Sequence, residues 1–140
     1  MNKSRKILYG FTLGVLILLI FCTVLSKFIS DAIMPVVEVI NPVSMAIESE
    51  TYDKVIPSAA VITGAYNKKY VYIARQRKGL FGQEHYAVLV EVQVIAGNDL
   101  YAALGGWNVT VFDDVVISAS KDLAMGDIVK VINNNSEQLK

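Results

Sequence analysis

Tyr86-Ala87-Val88-Leu89-Val90-Glu91-Val92-Gln93-Val94-Ile95 is the stretch on which the fold turns. Val88, Val90, Val92 and Val94 alternate with Leu89, Glu91, Gln93 and Ile95, the period of two that sends successive side chains to opposite faces of a strand. Branching at Cβ favours the same conformation. The valine face is predicted to be the core face.

Upstream, Tyr70 to Ala74 reads as a strand with Tyr70, Tyr72 and Ala74 on one face and Val71 and Ile73 on the other. It is joined to a strand at Ala60 to Thr63 by the hairpin-like connection Gly64-Ala65-Tyr66-Asn67-Lys68-Lys69, where Gly and Asn can take unusual backbone angles. Arg75 to Gln83 is expected to be a loop. Earlier still, Val36 to Ile40 alternates about Glu38 and stops at Asn41-Pro42. Met45 to Ile47 and Lys54 to Ile56 flank the polar patch Glu48 to Asp53, and Pro57 marks an edge or an end.

Downstream, Leu100 to Leu104, Val109 to Phe112, Val115 to Ala119 and Ile128 to Ile132 are further strands. Lys121 to Asp127 reads as one helical turn ended by Gly126. Asn133 onward is polar and expected to fray. Short strands at close spacing with almost no helical periodicity predict a mainly β protein with one small antiparallel barrel or sandwich.

The first thirty residues follow another rule. Ile7 to Leu25 carries no charged side chain and follows Lys3, Arg5 and Lys6. At 1.5 Å per residue the run, extended past Lys27 by Phe28 and Ile29, crosses a hydrocarbon core of about 30 Å as a helix. Lysine and arginine beside a span resist translocation, which places the N-terminus in the cytoplasm and the rest outside the cytoplasmic membrane. A cleavable signal peptide is the competing reading, with Ser30 and Ala32 as a small-x-small pair. The apolar run exceeds the usual length of a signal core. The organisation expected is a basic start at 1–6, a transmembrane helix at 7–29, a linker with a first short strand at 30–46, a β domain at 47–132 and a tail at 133–140.

Residues 36–140 suffice for one hydrophobic core. They hold nine Lys or Arg against twelve Asp or Glu, a balance that argues against a nucleic-acid partner. The one cysteine, Cys22, lies in the apolar run, so a disulfide or thiolate metal site in the β domain is excluded.

Chemical motifs are sparse. His85 has no second His or Cys to complete a metal site and reads as a loop histidine. Asp113 and Asp114 are adjacent, so on a strand they would diverge, and a turn accounts for them better. No Gly-rich phosphate loop leads into a long helix. No catalytic residue, metal or cofactor is expected. Arg75, Arg77 and Lys78 form the one basic concentration outside the first residues. With Leu80 and Phe81 they are the interaction candidates, facing either anionic lipid or a partner's acidic rim, against the alternative of a solvated tip. Trp107 is either a plug for the core or an interfacial anchor.

Several short motifs occur in a familiar order. Glu48-Ser49-Glu50-Thr51-Tyr52-Asp53-Lys54-Val55-Ile56-Pro57-Ser58-Ala59-Ala60 resembles the segment entering the last domain of periplasmic adaptor (membrane-fusion) subunits of efflux transporters. The Tyr70-Val71-Tyr72 strand and the closing Leu123-Ala124-Met125-Gly126-Asp127-Ile128-Val129 are similar to that domain too, as is the start Met34-Pro35-Val36-Val37-Glu38-Val39 after a span. Leu80 to Glu84 and Asn98 to Leu104 look most like adaptors of Gram-positive anaerobes. The resemblance covers about residues 47–132. It departs from the family between Ile40 and Ala46, where an ordinary adaptor inserts lipoyl-like, helical-hairpin and further barrel domains.

The resemblance implies a non-catalytic, membrane-anchored subunit that binds the outer face of a transporter permease of the ABC or RND type, with membrane lipid and further copies of itself as other partners. The alternatives are a stand-alone envelope module that binds lipid or another envelope protein, and a pruned remnant with no pump role.

Overall fold

A computed structural model describes residues 3–80 and 82–133, so Phe81 and the tail beyond Asn133 lie outside the described residues. The chain divides into two compact units, residues 1–34 and 35–140.

The first unit is one helix, α1 (Lys3–Ile33). Its segment Lys6–Ile29, 24 residues, is long and apolar enough to cross a membrane. At 1.5 Å per residue it measures about 36 Å. The hydroxyls of Thr12 and Thr23 donate back to the carbonyls of Leu8 and Leu19 at 2.7 and 2.8 Å, so neither needs an outside partner.

Among the described residues the second unit contains nine strands: β1 (Val36–Ile40), β2 (Val43–Ile47), β3 (Glu50–Pro57), β4 (Ile62–Thr63), β5 (Lys69–Gly79), β6 (Gly82–Gly97), β7 (Tyr101–Gly105), β8 (Asp114–Ala119) and β9 (Ile128–Asn133). They pair in the order β2-β3-β7-β6-β9-β1-β8-β5-β4, and β5 also pairs with β6. That last pairing closes β6, β9, β1, β8 and β5 into a five-stranded barrel, with the other strands added outside. Strand direction cannot alternate all the way round a ring of five. The one parallel pair is β1 with β9, and the remaining pairings are antiparallel. The barrel is therefore antiparallel as expected, except at that seam.

Three apolar clusters hold the domain. All five barrel strands supply the interior: Val37, Val39, Ala74, Ala87, Val116 and Val129, with Tyr72 and Leu123 packed against them. The Tyr72 hydroxyl donates to the Leu123 carbonyl at 2.7 Å, so the phenol is satisfied as it is covered. On the outer wall Val71, Ile73, Val92 and Val115 pack with Ile56, Leu104, Ala60 and Val109. Val90 and Val94 lie against the same cluster, so the valine face of β6 is a core face as predicted. The other face of β6 also meets a core, through Ala87. Ile47, Val55 and Ala103 form the third cluster. Full burial of a valine or isoleucine contributes about 1.5–3 kcal/mol. Among the described residues no buried side-chain polar atom lacks a partner.

Several expectations need correction. The stretch 30–46, expected as a linker with a first short strand, does contain that strand as β1, but β1 is part of the barrel and the compact unit starts at Pro35, ahead of the boundary expected at 47. Pro35 and Val36 are already pinned: Lys130 N–H donates to the Pro35 carbonyl at 2.9 Å and Ser120 N–H to that of Val36 at 2.8 Å. The polar patch Glu48 to Asp53 is mostly strand. Ile47 pairs with Glu50, leaving a two-residue turn at Glu48 and Ser49, both at positive φ.

Ser58–Ala60 is a 3-10 turn, so the strand expected at Ala60 to Thr63 shrinks to Ile62–Thr63. Val109 to Phe112 is loop; Val109 is buried there as part of the outer-wall cluster, without strand pairing. Lys121 to Asp127 contains no helix. Its Ala124–Asp127 segment is a β-turn closed by Asp127 N–H on the Ala124 carbonyl, with Gly126 at φ +92°.

Candidate functional site

The largest departure from expectation involves the candidate residues. Arg75 to Gln83, read as a loop, is a continuation of β5 and β6, which pair without interruption from Lys69↔Val92 to Gly79↔Gly82. β8 accompanies β5 only at Ile73 and Ala74, and β9 accompanies β6 only at His85 and Tyr86. From Arg75 onward β5 therefore has β6 as its one ladder partner, and the two form a ribbon. Arg75 to Gly79 extends it by about 13 Å at the strand rise. The chain reverses between Gly79 and Gly82, which face each other at the end of the ladder.

Alternation along β5 divides the basic cluster. Arg75 and Arg77 lie on one face, opposite Tyr86 and Glu84; Gln76 and Lys78 lie on the other, opposite His85 and Gln83. Arg77 is engaged: its Nε donates to Glu84 Oε1 at 2.6 Å, and its guanidinium stands 5.0 Å from the centre of the Tyr86 ring. Gly79 makes this possible, because a Cβ there would lie 2.5 Å from Glu84 Oε2. On the other face Gln76 Nε2 and His85 Nε2 are 3.0 Å apart. His85 is thus a strand residue held across the ribbon.

Arg75 and Lys78 are exposed and form no ion pair with any described residue. Leu80 at the tip is 97% exposed. The ribbon carries two available cations on opposite faces and one exposed apolar side chain at its tip. Phe81, the fifth candidate, lies outside the described residues.

A second exposed feature is one that the sequence left open between a plug for the core and an interfacial anchor. Trp107 is 96% exposed, so it does not plug the core; Val109 of the same loop, 2% exposed, fills that place. The loop is braced along its length. Lys54 Nζ donates to the carbonyls of Gly106 and Val109, and Asn108 Nδ2 donates to the Glu91 carbonyl at 3.0 Å. Asp113 Oδ2 accepts from both N–H and hydroxyl of Thr110, closing a turn at Asp113, whereas Asp114, expected in the same turn, is the first residue of β8 and pairs with Ala74. The signal available in the sequence was Gly105-Gly106 ahead of a lone tryptophan, which does not say which of Trp107 and Val109 turns inward.

A cross-strand ion pair lies beside this loop, Lys68 Nζ to Glu91 Oε2 at 2.9 Å. The hydrogen bond to Glu91 and its charge hold Lys68 above the usual lysine pKa. Among the described residues no three of His, Cys, Asp and Glu are grouped to hold a metal ion. A shallow depression lined by Tyr72, Val116, Ser118, Ser120 and Leu123 runs along β8.

No protein-family model, curated protein or solved structure matches the chain.

Proposed function

We propose that this chain is a non-catalytic, single-pass membrane subunit that binds the outward face of a transporter permease in the manner of a shortened efflux adaptor. α1 anchors it in the cytoplasmic membrane, with Lys3, Arg5 and Lys6 kept on the cytoplasmic side and the β domain outside. The observation that carries this reading is the ribbon. It extends two strands past their barrel neighbours, ends in an exposed Leu80, and offers Arg75 and Lys78 to opposite sides with no carboxylate of the described residues set against them.

A hairpin of this kind suits a cleft on a protein. Leucine supplies the buried contact, and the flanking cations supply steering and register against an acidic rim. The collinear motifs from Glu48 to Val129 add support, as does a first barrel strand separated from α1 by two residues.

Charge reversal of Arg75 and Lys78 tests the reading. The tagged chain is purified from its own membranes in mild detergent, and the permease retained with it is identified and quantified. Each charge near a complementary surface contributes about 1 kcal/mol, so the double reversal lowers retention by well over about tenfold. Retention of a permease unaffected by the reversal would assign the ribbon to solvent. Recovery of no transporter subunit would overturn the function.

A further inference from the structure

We infer that the end of the β domain carrying Trp107 and Tyr66 docks on the headgroup layer of a bilayer that contains anionic lipid; the inference rests on reading α1 as a membrane span. The two rings are each 96% exposed and are mounted on loops tied to one residue, Glu91. Asn108, next to Trp107, donates to the Glu91 carbonyl, and Lys68, two residues after Tyr66, binds its carboxylate. The Tyr66 loop is itself closed by Gly64 N–H on the Lys68 carbonyl at 2.8 Å. Both aromatics are therefore held outward by braced backbone. Val109 shows that the Trp107 loop reaches the core when it supplies an apolar side chain to it.

Charge identifies the occupant. Lys54, Lys68 and Lys69 surround these loops. Lys54 binds two carbonyls, Lys69 donates to the Thr63 hydroxyl at 2.6 Å, and Lys68 alone faces a carboxylate. The patch is thus positive in a segment, residues 36–140, where acids outnumber bases. Tryptophan and tyrosine, with an apolar body and a polar edge, concentrate at the membrane–water interface, and lysine beside anionic headgroups is favourable there. β1 and β5 run in the same sense, so β1 starts at the end of the barrel from which β5 starts, the end bearing Tyr66.

Trp107 is the sole tryptophan and therefore its own probe. The full chain is reconstituted into phosphatidylcholine vesicles with and without phosphatidylglycerol, each containing nitroxide-labelled lipid. The expected result is quenching of Trp107 that is stronger with the label near the headgroup than near the acyl end, and stronger with phosphatidylglycerol. Lys69→Gln lowers the docked-to-free ratio about fivefold at low salt, and Tyr66→Ser lowers it too. A probe moved by pairing Trp107→Phe with Phe112→Trp stays unquenched, because position 112 lies beside Asp113 and Asp114.

Absence of quenching in a chain that resists alkaline extraction overturns the inference and leaves the span intact. A chain that washes off the vesicles overturns both. Equal quenching at positions 107 and 112, or shielding of Trp107 found in native membranes and not in pure lipid, also overturns it, the last in favour of a protein partner.

Discussion

The ribbon and the Trp107 loop both present apolar side chains to solvent, but they are built in opposite ways. Beyond Ala74 the ribbon is held by its own ladder, by β9 at its base through His85 and Tyr86, and by one ion pair and one cation–π contact, and Arg75 to Lys78 are all exposed. The Trp107 loop has no ladder and is fastened at four places, with Val109 sunk into the outer-wall cluster. Local opening free energy follows buried contacts and protected hydrogen bonds. The ribbon is the deformable surface, able to adjust to a protein cleft, and the loop is the pre-set one, suited to a featureless surface where fixed orientation suffices.

Substitutions can break that contrast at its strongest point first. Ile73 is fully buried in the outer-wall cluster beneath the braced loop, and Ile73→Ala is expected to cost roughly 2–5 kcal/mol in a urea unfolding experiment on the full chain in detergent. Val109→Ala removes less volume from the same cluster and should cost about 2 kcal/mol, with faster amide exchange confined to the loop. Lys54→Met leaves the Gly106 and Val109 carbonyls without their donor, at about 1–2 kcal/mol.

On the ribbon, Arg77→Ala should change stability by less than about 1 kcal/mol, since the ion pair with Glu84 is half-exposed, while raising exchange at Gly79 and Glu84. A loss there as large as that at Val109 would erase the distinction between the two regions.

The smallest effect concerns pH. A lysine whose pKa is raised by folding contributes stability that is fully present below its unfolded pKa and disappears as pH rises through the folded value. Lys68 is raised by Glu91, so its support of the Tyr66 loop persists across neutral pH and fails only in strong alkali. Exchange rates near Glu91 followed over that range would show it.

Most of the β architecture was legible wherever alternation was regular. Tyr70 to Ala74 and Tyr86 to Ile95 were placed by period, Val115 to Ala119 and Ile128 to Ile132 as short groups rich in Val and Ile, and α1 by the absence of charge. Val36 to Ile40, Met45 to Ile47, Lys54 to Ile56 and Leu100 to Leu104 were also read as strands, and composition hid only how far some strands extend. Arg75 to Lys78 lacks apolar alternation because both faces of the ribbon meet solvent, so no pattern marks it as strand. The Glu48-Ser49 turn escaped because it takes positive φ with residues other than the Asn-Gly such turns favour.

The Val109 to Phe112 run looked like a strand because Val109 is buried for the sake of its neighbours across the sheet, a tertiary fact with no local signature. Among the site candidates Arg75, Lys78 and Leu80 could be named from sequence. Their division between two faces required the register, and so did the diversion of Arg77 to Glu84.

The most direct measurement is photocrosslinking from a photoreactive residue placed at position 80 in intact membranes of the producing cell. The account predicts an adduct with an integral transporter subunit, lost on charge reversal of Arg75 and Lys78. An adduct with lipid alone, or none while the chain remains in the membrane, would contradict it.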